Sequence, residues 1–268
     1  MAASLYKREC DMFKKGITLS ALLVSSIFSV SAEDLSGFYL SGKVGVSLQQ
    51  QADRDLKSSG TDLINGYATH SQLNFSSDTK SLLSGGIAGG YDLNSRFNLP
   101  IRIELEYIAR DNGSQSLNES HLDFALLVPN YGDNELFYTS RIRTQTLMLN
   151  VYWDVNTATG FRPYFTAGMG MANNRLRHQT KYRVINNRNS INMSGNKTQL
   201  AWSLGAGLIC HIDENWSVDL GYRYIDAGKA SADTSWRSTA FNLDAIMDAE
   251  VNTRVRYHDI HAGISYWF

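Results

Sequence analysis

Apolar and polar side chains alternate at every second position in eight separate stretches of the chain. In GFYLSGKVGVSLQ, Phe38, Leu40, Val44, Val46 and Leu48 share one face, and Tyr39, Ser41, Lys43, Ser47 and Gln49 share the other. Period two is the signature of a strand with two different surroundings. The same pattern gives Leu83, Ile87 and Tyr91 in SLLSGGIAGGYDL, and Ile101, Ile103, Leu105, Tyr107 and Ala109 in LPIRIELEYIAR. It continues with Leu147, Leu149, Val151 and Trp153, then with Phe165, Ala167, Met169 and Met171. Leu200, Trp202, Leu204, Ala206, Leu208 and Cys210 form the sixth apolar face, and Trp216, Val218, Leu220, Tyr222 and Tyr224 the seventh. The last stretch, DIHAGISYWF, sets Ile260, Ala262, Ile264, Tyr266 and Phe268 against His261, Gly263, Ser265 and Trp267.

The polar faces decide the fold class. Arg102, Glu104, Glu106 and Arg110 fall on one side of a single strand, which a protein core does not tolerate but a membrane barrel or a solvated sheet does. Eight strands of about 9–11 residues match the length that a tilted membrane strand needs. Between them, long polar segments at 51–80, 111–139, 174–198 and 228–252 alternate with short connections near 92–98, 154–160 and 213–215. Outer-membrane barrels show this asymmetry, with brief periplasmic turns and long extracellular loops. The expectation is an all-β, eight-stranded, antiparallel up-and-down transmembrane barrel, with loops outside and both termini periplasmic. Tyr91, Trp153, Phe161, Trp216, Tyr266 and Phe268 lie beside the short turns or the terminus, the place of a periplasmic aromatic girdle.

The first 32 residues differ in kind. Lys14 and Lys15 precede the apolar run GITLSALLVSSIFSV, and Val30-Ser31-Ala32 supplies a small-residue cleavage site. At about 15 residues the run is too short for a comfortable helical span and reads as a signal peptide. The domain plan is therefore 1–32 signal peptide and 33–268 barrel. Removal of 1–32 takes away four basic and two acidic side chains, leaving 21 against 24 over 236 residues, a net charge of −3. No basic surface of the kind nucleic acid requires is present. Cys10 would leave with the leader, so Cys210 is expected to have no intramolecular partner.

An eight-stranded barrel has a bore only wide enough for side chains to fill. Lys43, Arg102, Glu104, Glu106, Arg110, Asp219 and Arg223 fall on the inward parity, among the glycines 86, 90, 168, 170, 205, 207, 221 and 263. The expectation is a self-filled polar plug in which charges of opposite sign pair, since lone buried ions are costly. Candidate chemistry is sparse: His258 and His261 flank Asp259 but have opposite parity, against a shared metal site, and no G-x-S-x-G, H-E-x-x-H or C-x-x-C occurs. Neither a catalytic residue nor a cofactor is assigned. Function is placed in the long loops. There, Arg175, Arg177, Lys181, Arg183 and Arg188 would contact anionic lipopolysaccharide or host glycans.

LMLNVYWDV (147–155), RPYFTAGMGMA (162–172), AWSLGAGL (201–208) and NWSVDLGYRYIDAG (215–228) resemble the opacity-type outer-membrane β-barrel family. Its members commonly show N-x-Y-[YW]-D, P-Y-x-x-A-G-x-G, A-W-x-L-G-A-G and D-L-G-Y-R-Y strand motifs. The C-terminus is similar to the family's assembly signal through His261, Gly263, Tyr266 and Phe268, which the resemblance implies are read by the barrel-assembly machinery. It also implies a non-enzymatic surface antigen with a structural or adhesion role, in contact with outer-membrane lipids and a host-surface receptor or glycan. Two alternatives stay open: a small porin-like channel and a lipid-modifying membrane enzyme.

Overall fold

A computed structural model of the chain describes residues 36–64, 66, 68–75, 78–119, 135–157, 160–184, 187–238 and 245–268. The leader assigned to 1–32 lies outside these residues. Ten strands make one sheet: β1 (Phe38–Asp62), β2 (Ala68–Phe75), β3 (Asp78–Asp92), β4 (Ile101–Arg110), β5 (Gly113–Glu119), β6 (Glu135–Asp154), β7 (Phe161–Val184), β8 (Asn187–His211), β9 (Trp216–Ser238) and β10 (Ala245–Trp267). β2 and β3 lie end to end along β1, and β4 and β5 end to end along β6. The ten strands therefore form eight staves, each antiparallel to its neighbours. β10 pairs with β1 from Tyr39↔Trp267 upward and closes the barrel.

The register fixes the shape. The chain of paired residues Gln49, Tyr257, Ile225, Ser203, Gly168, Asn150, Glu104, Gly90 and Tyr39 passes once around the barrel and returns to β1 ten residues lower. That stagger over eight staves tilts the strands by about 40° and leaves a bore that side chains can fill.

Alternation holds along the belt, with register shifts higher up between Ala52 and Asp55 and between Arg254 and Arg256. Val44, Leu83, Ile87, Leu105, Leu149, Met169, Leu204 and Leu220 all point out of the barrel, and Lys43, Glu104, Glu106, Asn150 and Arg223 are buried inside it. At the rim carrying the short turns, Phe38 packs on Tyr91 at 4.7 Å, and Trp216 and Phe268 each pack on Tyr266 at 5.1 Å. Trp267 turns inward instead, stacks on Tyr39 at 4.5 Å and donates from Nε1 to Ser217 Oγ. The three terminal aromatics thus seal the seam from both faces, and Phe268 N donates to Phe38 O at 3.0 Å. The first turn carries a one-turn helix α1 (Asn94–Phe97), ended by Asn98 in the left-handed region. In the third, Asp213 Oδ1 accepts from the amides of Asn215 and Trp216.

Three expectations are corrected. The segments 51–80, 111–139, 174–198 and 228–252 are largely strand among the described residues, and most staves run for 20 to 25 residues. Their alternation escaped detection because polarity reverses there: Arg141, Arg143, Arg175 and Arg177 face out, whereas Ile142, Leu176, Met193, Ala230, Ala232 and Val251 are buried within. Water wets the outside of this upper part, so its inside must be apolar to be stable. For the same reason the paired charges of the plug lie in its lower half. Finally, Cys210, expected to have no intramolecular partner, is disulfide-bonded.

The belt position predicts a sharp contrast. Leu149→Arg, at mid-belt on the outer face, is expected to cost about 2–4 kcal/mol in urea titrations of protein refolded into bilayers. Thr61→Arg, exposed on the upper part of β1, should shift stability by no more than about 0.5 kcal/mol.

Candidate functional site

The lower lumen holds a layered set of paired groups. At its floor Tyr39, Tyr152, Tyr164, Ile209 and Trp267 cluster. Immediately above, Lys43 Nζ lies 2.6 Å from Glu104 and 2.7 Å from Glu106, and the second carboxylate oxygen of Glu106 takes Arg223 at 2.7 Å. Tyr39 and Tyr152 donate their hydroxyls to Glu104. Arg102 grips Asp154 through Nε and Nη2 at 2.7 and 2.8 Å, with its guanidinium 4.7 Å from the Tyr152 ring. Arg110 bonds Asp259 at 2.6 Å, Ser47 and Thr146, and lies 4.4 Å from the Tyr257 ring. Asp219 faces His261 at 3.5 Å and Tyr164 at 3.4 Å.

Every buried lumen cation therefore has a carboxylate within 2.7 Å, and Lys43 and Arg110 each bond groups on more than one stave. Removing two charges from water costs several kcal/mol per ion, so such pairs hold only with this geometry and with extra hydrogen bonds. Absent side chains make the room. A Cβ on Gly90 would fall on the Tyr39 ring, and one on Gly263 on Asp219 Oδ1. Above the ions, Gln49, Tyr257, Thr144 and Asn174 form a relay of neutral hydrogen bonds that ends on Ala227 O. Higher still, Ile142, Leu176, Met193, Ala230, Ala232, Val251 and Val255 belong to a buried apolar cluster within the bore.

The seven charges singled out from parity all face this lumen, although Asp219 meets a histidine and a tyrosine instead of a cation. Sequence reasoning missed Asp154, assigned to a turn, and Asp259, noted only as flanked by histidines. Parity with Tyr152 and His261 respectively would have found both. His258 points outward and bonds the Tyr222 hydroxyl at 2.7 Å, away from inward His261.

The basic residues of the third long segment are wall residues. Arg175, Arg177 and Lys181 project outward from β7, and Arg183 and Arg188 are opposite each other at the top of the β7–β8 hairpin. Of the four assembly-signal positions, His261 and Gly263 face the lumen, while Tyr266 and Phe268 lie in the outer aromatic rim.

A closed barrel with an apolar outer belt, an aromatic rim and a charge-filled bore defines a class, that of outer-membrane β-barrel proteins. A family model described as outer membrane protein beta-barrel domain matches residues 17–268, and the chain belongs to that family. Outer membrane protein PagN of Salmonella typhimurium (strain LT2) is 30% identical over 243 residues, spanning 90% of this chain and 94% of PagN. Among solved structures, Neisserial surface protein A covers 87% of this chain and 98% of its own at 15% identity, with a TM-score of 0.40. Ail of Yersinia pestis covers 83% and 99% at 13% identity, with a TM-score of 0.32. The protein resides in the outer membrane, with its short turns, the start of β1 and the end of β10 on the periplasmic side and its long hairpins outside.

The charge network yields a stability prediction. Glu106→Ala strips both Lys43 and Arg223 of a carboxylate and should cost about 3–5 kcal/mol in unfolding experiments in lipid. Asp219→Asn, which faces only His261 and Tyr164, should cost less by the same measurement.

Proposed function

We propose that the protein is a non-enzymatic surface-display barrel that attaches the cell to host surfaces through the extracellular rim of its staves. The observation that carries this reading is the overshoot of the strands. β7 and β8 continue for more than ten residues past the last outward apolar pair, Met171↔Leu200, and stay paired up to Val184↔Asn187. The added length is not needed to cross the membrane. It builds a rigid extracellular rim around its own apolar core and presents an outer surface of Arg, Lys, Asp, Glu and Ser. Between staves, a concavity of about 770 Å³ lined by Lys57, His70, Lys197, Asp233, Asp248 and Glu250 offers both signs of charge to a polar ligand such as a glycan or receptor loop. Residues 1–32 serve as the export leader, and the aromatic C-terminal strand, which forms the closing seam with β1, is the segment that the barrel-assembly machinery reads.

Replacing 178–193 by an Asn-Gly turn joins Arg177 to Ser194, which are already opposite each other, and keeps the membrane barrel. Bacteria displaying this variant should adhere to host cells no better than a deletion strain, while the protein keeps its heat-modifiable migration on gels. Undiminished adherence would refute the attachment role.

The filled bore supports display over conduction. The expected result in planar bilayers is silence for the wild type and also for the Ile142→Gly/Leu176→Gly double variant, because the paired ions and tyrosines below still fill the bore. A conducting wild type would instead favour the channel reading.

A further inference from the structure

We propose that Arg141, Arg143, Arg175 and Arg177, on the outer wall of β6 and β7, form a binding site for the phosphate groups of outer-leaflet glycolipid, the phosphorylated lipid A of lipopolysaccharide. The inference rests on the outer-membrane orientation given above and deepens the surface reading by naming a lipid partner for the wall, distinct from any host ligand of the rim.

The register places Arg141 directly opposite Arg177 and Arg143 directly opposite Arg175. All four are exposed, with Ile142 and Leu176 between them fully buried, so the four guanidinium groups share one patch of the outer face. Like charges directly opposite on neighbouring strands repel. None of the four takes part in an ion pair among the described residues, in contrast with the lumen, where every cation is matched. Among the described residues, the two repulsive pairs thus stand side by side with no carboxylate paired to them. An anion from outside the protein would offset that repulsion.

Height on the wall identifies the anion. The last outward apolar pair below the patch is Leu147↔Met171, followed by Gln145↔Asn173 and then by Arg143↔Arg175. Four residues at a tilt of about 40° set the first arginine pair about 10 Å above the apolar belt, the depth of lipid headgroups. The patch faces sideways into the leaflet, not upward into the medium. A guanidinium fork matches a phosphate with two parallel hydrogen bonds. Arg141 and Arg177 also line a cavity of about 330 Å³ with Gln179, Asn192 and Ser194, whose amides and hydroxyl add neutral donors for phosphate or sugar oxygens.

The test compares the full barrel with Arg143→Gln/Arg175→Gln and with Arg143→Lys/Arg175→Lys, all refolded in the same detergent. Each is titrated with bis-phosphorylated lipid A, with the dephosphorylated lipid and with heparin, and read by melting temperature and by lipid adducts in native mass spectrometry. The wild type should gain melting temperature and retain lipid A, and the glutamine variant should bind it at least about tenfold more weakly. Without lipid the glutamine variant should melt at or above the wild type, since a repulsive pair is gone; a merely structural role predicts a loss. The lysine variant should fall between. Equal responses of wild type and glutamine variant, or equal binding of dephosphorylated lipid, would overturn the proposal, as would arginine-dependent binding of heparin alone. Undiminished host attachment by bacteria displaying the Arg143→Gln/Arg175→Gln variant, alongside its weakened lipid A response, separates the two readings.

Discussion

Hydrocarbon offers no hydrogen-bond partner, so each backbone N–H and C=O on the belt must be bonded to a neighbouring strand. A sheet meets that demand only by closing, and the structure depends on the seam between β1 and β10. The seam runs from Asp62 to Tyr39 on one strand, a length that commits the whole C-terminal segment to pairing. Its lower end is stapled by aromatics on both faces: Tyr266 and Phe268 toward lipid, Trp267 and Tyr39 toward the lumen.

Closure brings a second constraint. Eight staves with a ten-residue stagger enclose a bore about as wide as the side chains that line it, and those side chains fill it. Below, glycines give up volume to long ions and tyrosines, and the ions are tolerated because each meets its opposite within hydrogen-bond distance. Above, the surroundings of the wall change from lipid to water, and the filling changes with them from ionic to apolar. One continuous strand such as β7 therefore reverses its polarity midway, with Met169 outward and Thr166 inward near the base, Arg177 outward and Leu176 inward near the top.

The reversal explains which parts were legible. Where lipid and a polar bore oppose each other, the contrast between successive residues is large, and the eight apolar faces, the barrel class and the inward charges could be read directly. In 174–198 the outward residues are Arg, Lys, Ser and Asn, and the inward ones include Asn174, His178 and Met193. Polar residues on both parities look like loop, so a 24-residue strand was cut to about half its length. Asp154 and Asp259 were overlooked for a related reason: each stands at the end of a stretch whose limits were drawn from apolar residues alone.

What the sequence by itself determined is the face of each residue, because parity is a local property of an extended backbone and hydropathy reports its surroundings. It determined class, stave number and most of the inward charges, Asp154 and Asp259 excepted. Only the tertiary structure decided which charges meet. Lys43 finds Glu106, Arg110 finds Asp259 and Arg141 stands against Arg177 because the stagger sets the height at which distant staves face one another. That height is a property of the closed sheet, which no single strand carries.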